Sequence, residues 1–399
     1  MSDKKISQFT ELTAPSTGDF LPVVDTSSST TKKIKLSNLP LSDLSESKIN
    51  PNTTDFQGST ETSKLLTGIA NSGFRANTNL NSIHIGSSVT SIGVAAFETC
   101  IGLTEIHIPS SVTEVKSKGF KDCVNIVTRT FSEGLTNIGD NAFRNQQAAK
   151  GNAEGNILKL PSTVTGIGVN AFNYNIGISG IILPEGLVSI GNSAFYYAAT
   201  STTLSGVTIP DSVTSMGNTV FSRCNTQSIT FGTGITEIPS LTFYHSNAGK
   251  VKVSSNLTRI KSNAFSYGSA SFYKANSITH IEANAFYQGT LNSISSDGTV
   301  TPKHLDISDN LVSVNGFGYS TLQSAVLPST VTSCNFYAAR DLVRIDCFTT
   351  KTVADSFDFR ETANGTTLVV HARASDSTWT AGTNLTIAQK AGVTVIKDL

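Results

Sequence analysis

The chain has 399 residues, of which 38% are hydrophobic and 15% charged, with 29 basic side chains against 29 acidic ones. Such a length and balance exclude a disordered polymer and leave room for a large core and more than one domain. The formal net charge of zero provides no broad field to draw in nucleic acid or an anionic membrane surface, so charge is not the recognition device.

The amino terminus, MSDKKISQFTELTAP, offers only Ile6 and Phe9 among polar residues and lacks the apolar run of a secretory signal. The expectation is a product that stays in the compartment where it is made. No window approaches the roughly 18 to 20 apolar residues of a membrane span, so no membrane insertion is expected. Phe20 to Val24 and Lys33 to Leu36 are extended in character and flank the polar turn DTSSST, which predicts a β-hairpin or two strands over residues 1–40. Such a hairpin is marginal alone and needs a partner chain or surface. Residues 41–78, rich in Ser, Thr and Asn, read as a linker passing into an amino-terminal cap near Leu65, Leu66 and Ile69.

From about residue 79 the chain repeats. A phenylalanine recurs at Phe97, Phe120, Phe143, Phe172, Phe195, Phe221, Phe243, Phe265 and Phe286, with weaker copies at Phe317, Phe336 and Phe357. Ahead of most of them stands an apolar-x-apolar trio closed by a turn residue: IHIG at Ile83, IHIP at Ile106, LKLP at Leu158, IILP at Ile181, VTIP at Val207 and AVLP at Ala325. Each unit therefore predicts a short strand, a turn at Pro or Gly, a second extended piece V-T-x-I, and a compact turn or short helix begun by A-F. One unit cannot bury its own apolar face. Stacked coils can, with like residues piled on like, and this predicts a solenoid of about twelve coils over 79–365. Residues 366–399, which hold Trp379, read as a cap that hides the last open edge.

The five cysteines argue for reduced thiols rather than a disulfide framework. Cys100, Cys123 and Cys224 each fall three residues after the repeat phenylalanine and hold one position inside the coil, while Cys334 and Cys347 lack C-x-x-C spacing. His84 and His107 occupy equivalent strand positions, which would bring two rings together, but Thr130 and Lys159 follow them and no third ligand is visible. No metal and no cofactor is expected. The motifs G-x-S-x-G, H-E-x-x-H, G-x-x-x-x-G-K-S/T and G-x-G-x-x-G are absent. Asp306 and Asp309 are more simply loop and edge carboxylates than a glycan-cleaving pair. The expectation is that the protein is not an enzyme.

What varies is the middle residue of each strand, which alternation turns outward: His84, His107, Thr130, Lys159, Ile182, Thr208, Thr230, Lys252, Tyr273, Asp306 and Val326. His84, His107, Lys159, Thr208, Thr230, Lys252, Tyr273 and Asp306 are the candidate binding residues on this ladder. Two insertions, Arg144 to Asn156 and Tyr287 to Lys303, compete with it, because loops on a rigid stack are natural binding sites.

The pattern L-x-x-I-x-I-P-x-S-V-T-x-I-G-x-x-A-F-x-x-C, carried in one copy by Val89, Thr90, Ile92, Gly93, Ala96, Phe97 and Cys100, resembles the BspA-type leucine-rich repeat from about Leu80 to Leu399. The resemblance implies a right-handed solenoid used for binding or adhesion. Arg129, standing where Ile83 and Ile106 stand, departs from it, as do the units after Phe286, which lose the A-F pair. Residues 1–40 resemble the amino-terminal module of tailed-phage fibre and virion proteins, which implies attachment to the particle or to sister subunits. Together they lead to the expectation of a non-catalytic phage fibre or appendage. Its localisation is the virion, its partners other virion proteins and a host-surface glycan or protein, and its assembly a homotrimer. A cellular adhesin-like repeat protein, or a decorative virion protein without a receptor role, is the alternative.

Overall fold

The structure, a computed structural model, describes residues 68–147, 157–199, 203–294 and 298–348, together with the backbone of strands Phe20–Val24, Thr31–Lys35, Asp55–Gln57, Leu368–Ala372 and Val393–Lys397. The chain divides into two compact units, one of residues 1–153 and 159–177, the other of 154–158 and 178–399. Both are built from the same coil.

In the first unit the two-residue strands Gly68–Ile69, Ser91–Ile92, Glu114–Val115, Asn137–Ile138 and Gly166–Ile167 pair in parallel, one per coil. The register sets Ile69, Ile92, Val115, Ile138 and Ile167 side by side, all buried. Because the pairing repeats at about 4.8 Å, an apolar residue at one coil position becomes a continuous apolar row. A second row of strands lies ahead of the first in each coil: Asp55–Gln57 with Ser82–His84, and Glu105–Ile108 with Thr128–Phe131. The near-parallel rings of Phe74, Phe97, Phe120, Phe143 and Phe172 fill the interior, with successive centroids 5.1, 4.8, 5.5 and 5.4 Å apart. Gly93, the glycine of the motif I-G, is required by close approach: a Cβ there would stand 2.6 Å from the backbone of Ala70 and Asn71 in the preceding coil.

The second unit repeats the plan. Its longer strands run Val207–Ile209, Ser228–Phe231, Asn247–Lys252, Ser269–Tyr273 and Thr290–Ile294, all parallel. Val300–Thr301 then pairs antiparallel with Thr290–Ile294, so the Tyr287 to Lys303 insertion is a hairpin that turns back on the last of these strands. Parallel order resumes with His304–Leu305, Ser324–Leu327, Arg344–Cys347, Leu368–Ala372 and Val393–Lys397. The phenylalanine row runs from Phe195 through Phe221, Phe243, Phe265 and Phe286 to Phe317, and Phe336 tilts by 39° against it. The coil thus continues where the A-F pair is lost. Phe357, Trp379 and most of the insertion Arg144 to Asn156 lie outside the described residues.

Of the two forms expected after A-F, a compact turn or a short helix, the structure has the turn: among the described residues there is no helix. The run instead places a residue in the left-handed region every fourth position, Ala95 at φ 54° and Thr99 at φ 64° in one coil. Alternate N–H groups close tight turns, Ala96 N to Gly93 O and Glu98 N to Ala95 O, while those between them cross coils, Phe97 N to Gly119 O at 2.7 Å and Thr99 N to Lys121 O at 2.8 Å. A helix would consume every N–H within its own coil. The stack needs half of them to tie the third side of each coil to the next.

At the amino terminus, Phe20–Val24 pairs antiparallel with Thr31–Lys35, from Phe20 opposite Lys35 to Val24 opposite Thr31. The second strand starts two residues earlier than the sequence indicates. Residues 25–30, which hold the turn, lie outside the described residues.

Candidate functional site

Two faces of the coil carry variable side chains, and each unit is taken by itself. On the strand face of the first unit, His84, His107, Thr130 and Lys159 are exposed. The His107 ring Nδ1 lies 2.7 Å from the Thr130 hydroxyl on the paired strand. In the second unit Thr208, Thr230 and Lys252 stand in one register row, and Tyr273 lies half-buried on the next strand. Asp306 does not pair with Asp309 as two reacting carboxylates would. Both instead hold the Lys274 ammonium, at 3.3 and 2.9 Å, and the hydrogen bond to Asp309 foremost raises the lysine's pKa. Among the described residues no group of three or more His, Cys, Asp or Glu could hold a metal ion. The expected ladder residues are exposed or half-buried and chemically mixed.

The turn face is different. It is built from the first two residues after each repeat phenylalanine, and in the first unit Arg75, Glu98, Lys121 and Asp122 form a chain of ion pairs there at 2.9, 2.9 and 2.7 Å. Burial raises the Asp122 carboxyl, but hydrogen bonds from Lys121 and Asn145 outweigh it and hold the pKa below the ordinary value. In the second unit one of these two positions in most coils carries an aromatic ring. Tyr244, Tyr267, Tyr287, Tyr319 and Tyr337 follow one another edge to face, with centroids 5.5, 5.4, 5.6 and 6.1 Å apart. His245 stacks on Tyr267 at 4.6 Å, and burial with the nearby Arg223 charge lowers its pKa. The Arg340 guanidinium lies 5.4 Å from the Tyr319 ring centre and that of Arg223 5.8 Å from Tyr197.

Two depressions of about 630 and 920 Å3 open along this row. Asn263, Asn284, Asn315 and Asn335 supply amides to their walls, and Arg259 and Glu282, paired at 3.2 Å, sit in the larger one. The sequence reading passed over this row, although its signal was present: eight of the nine tyrosines, all but Tyr273, fall one or two residues after a repeat phenylalanine.

The buried side of the same turn has a recurring task in five coils. Three residues after the phenylalanine, Cys100, Cys123, Gln146, Asn175 and Ser246 each donate a hydrogen bond to the carbonyl oxygen of the preceding coil's phenylalanine, at 2.9, 3.0, 3.2, 2.8 and 3.0 Å. All five cysteines are buried thiols outside any disulfide.

The chain matches the family described as the BspA type leucine rich repeat region, in six copies over residues 67–200 and 197–311. That is more than half of its length, and the protein belongs to this family. A leucine-rich repeat protein of Bacteroides ovatus is similar over 97% of this chain and 100% of its own, at 15% identity and a TM-score of 0.45. The leucine-rich repeat protein of T. pallidum is 26% identical over 40% of this chain and 70% of its own, with a TM-score of 0.35. A leucine rich cell surface protein of Faecalibacterium prausnitzii is 17% identical over 92% and 96%, with a TM-score of 0.37. No curated protein matches the chain.

Proposed function

We propose that the protein is a non-catalytic binding appendage of a tailed-phage virion, held to the particle by residues 1–40 and offering its repeats to a host surface. The observation that carries the binding role is the division of labour within the coil. The strand interior and the phenylalanine row repeat coil by coil, while the outward positions change chemistry from coil to coil. A stack that spends its regularity on packing leaves the irregular residues free for contact. The attachment role is supported by the hairpin Phe20–Val24 and Thr31–Lys35, a two-stranded element of the kind that seldom stands without a partner. In this reading the module sets a homotrimer, residues 41–78 lead into the first coil, and residues 366–399 close the last.

The test is twofold. Virions assembled with a chain lacking residues 1–40 should lose this protein while retaining their other components, and purified full-length protein added to host cells should reduce virus adsorption. Normal incorporation of the truncated chain sinks the attachment role. Undiminished adsorption at saturating protein sinks the receptor role and favours a cellular adhesin-like or purely decorative protein.

A further inference from the structure

We propose that the tyrosine-lined groove on the turn face of the second unit is a binding site for an extended, β-linked, predominantly neutral glycan. The inference deepens the host-contact reading, placing the contact on a different face from the strand ladder and naming its ligand class.

The scaffold does not require these rings. The same coil closes around Glu98 or Lys121 in the first unit, and around Ser222 or Ser266 in the second, at the position that Tyr244 and Tyr287 occupy. Tyr267 and Tyr319 further hold φ of 58° and 54°, a backbone region that disfavours bulky side chains and suits Asn, which fills the equivalent place at Asn145 with φ 62°.

The composition of the groove selects the ligand. Aliphatic lining is confined to Leu241 and Ala283, too little for an amphipathic helix that would bury a hydrophobic stripe. An added peptide strand finds no open edge, because the backbone N–H groups of this face are spent within and between coils, as in Phe243 N to Ala264 O and Phe265 N to Ala285 O at 2.7 Å each. What the groove offers is flat aromatic surface for the apolar face of a sugar ring, with amides and hydroxyls beside it for sugar hydroxyls. The aromatic row advances one ring per coil, with centroids 5.4 to 6.1 Å apart, which is on the scale of one pyranose in an extended chain. Charge at the larger depression is compensated two against two, Arg259 lying against Glu282 at 3.2 Å and Lys261 between Glu282 at 3.4 Å and Glu237 at 3.8 Å, which favours a neutral polymer over a polyanion.

The probes are cellohexaose and chitohexaose, which are extended, with maltohexaose, which coils, as the contrast; binding to the full-length chain is measured by titration calorimetry. The expected result is binding of at least one extended hexaose in preference to maltohexaose. Tyr267→Asn, chosen because Asn suits the left-handed backbone, should weaken it about tenfold with the unfolding temperature preserved. Tyr287→Phe, which keeps the ring, should lose less than Tyr287→Ala, and Thr208→Ala on the strand face should lose nothing. No heat with either extended hexaose overturns the proposal, as does equal affinity in folded Tyr267→Asn or loss confined to Thr208→Ala. Self-association in sedimentation that Tyr267→Asn abolishes, without sugar binding, would assign the groove to a second copy of the chain instead. Sugar binding together with unaltered virus adsorption leaves the groove standing and refutes the host-receptor reading alone.

Discussion

The thiol of Cys123 donates a hydrogen bond to the carbonyl oxygen of Phe97 in the preceding coil across 3.0 Å, with both residues buried. The bond explains why Cys, Gln, Asn and Ser share one repeat position: each has a donor that reaches the same carbonyl. Cys123→Ser should therefore keep the contact and cost little. Cys123→Val removes the donor at similar volume and should cost about 1 to 2 kcal/mol, the usual range for a buried polar group left with one partner fewer. Denaturant unfolding of the two variants checks it, and equal loss in both would make the thiol a filler of space only.

Burial pushes the thiols of Cys100 and Cys224 up to about 12 from an ordinary 9.0, and raises Cys123 and Cys334 as well. The unfolded chain releases these protons from pH 9.0, while the folded chain holds them, so folding is fully supported below that value and loses stability as pH rises above it. The expected slope is about 1.4 kcal/mol per pH unit for each thiol. Arg129 acts in the opposite sense, but only above about 10, where burial makes the folded chain give up the guanidinium proton before the unfolded chain does. The interval between 9.0 and 10 is thus the clean one. Urea midpoints should be level up to its lower bound and drop across it, and a profile without that drop would show the thiols to be accessible.

Phe172 closes the phenylalanine row of the first unit, 5.4 Å from Phe143 and fully buried. Phe172→Ala removes a ring from a stack whose neighbours are held by their own coils and cannot collapse inward, so the cost should be about 3 to 5 kcal/mol. A loss below about 1 kcal/mol, the range of surface positions, would place the ring outside the core.

The solenoid was legible because its signals are local and repeated: I-x-I-P marks strand and turn, and the phenylalanine marks the core. The choice between a compact turn and a short helix after A-F was not legible. A-F followed by polar residues satisfies helix propensity, and the left-handed residues at Ala95 and Lys118 belong to no residue type that announces them. The outward direction of His84, Thr208 and Lys252 followed from strand alternation alone. The tyrosine groove escaped because its rings alternate between the first and second position after the phenylalanine, Tyr244 and Tyr287 at one, Tyr267 and Tyr319 at the other. Only the turn geometry brings these two positions onto one surface.

Arg129 was visible in the sequence as an isolated departure, a charge where Ile106 stands in the paired strand. In the fold it is one third of a single event. Its Nη1 donates to the amide oxygens of Gln146 and Asn175, whose nitrogens are occupied with the carbonyls of Phe120 and Phe143. A long amide at the donor position keeps the task a cysteine performs in other coils, but it also carries a buried oxygen that needs a donor of its own, and the guanidinium supplies it. No carboxylate shares these hydrogen bonds, and burial alone lowers the pKa of Arg129, to about 10. The three residues should therefore behave as one unit. Arg129→Ile, although it restores the repeat's own residue, should cost about 2 to 5 kcal/mol by leaving two buried amide oxygens unpaired. Gln146→Cys and Asn175→Cys should each be costly alone, because each leaves the guanidinium a partner short. The triple variant should recover most of the loss, a coupling of about 1 to 3 kcal/mol within the usual range for residues of one hydrogen-bonded network. Unfolding free energies of the single and triple variants measure it, and simple additivity would show that Arg129 and the two amides are independent accidents of their coils.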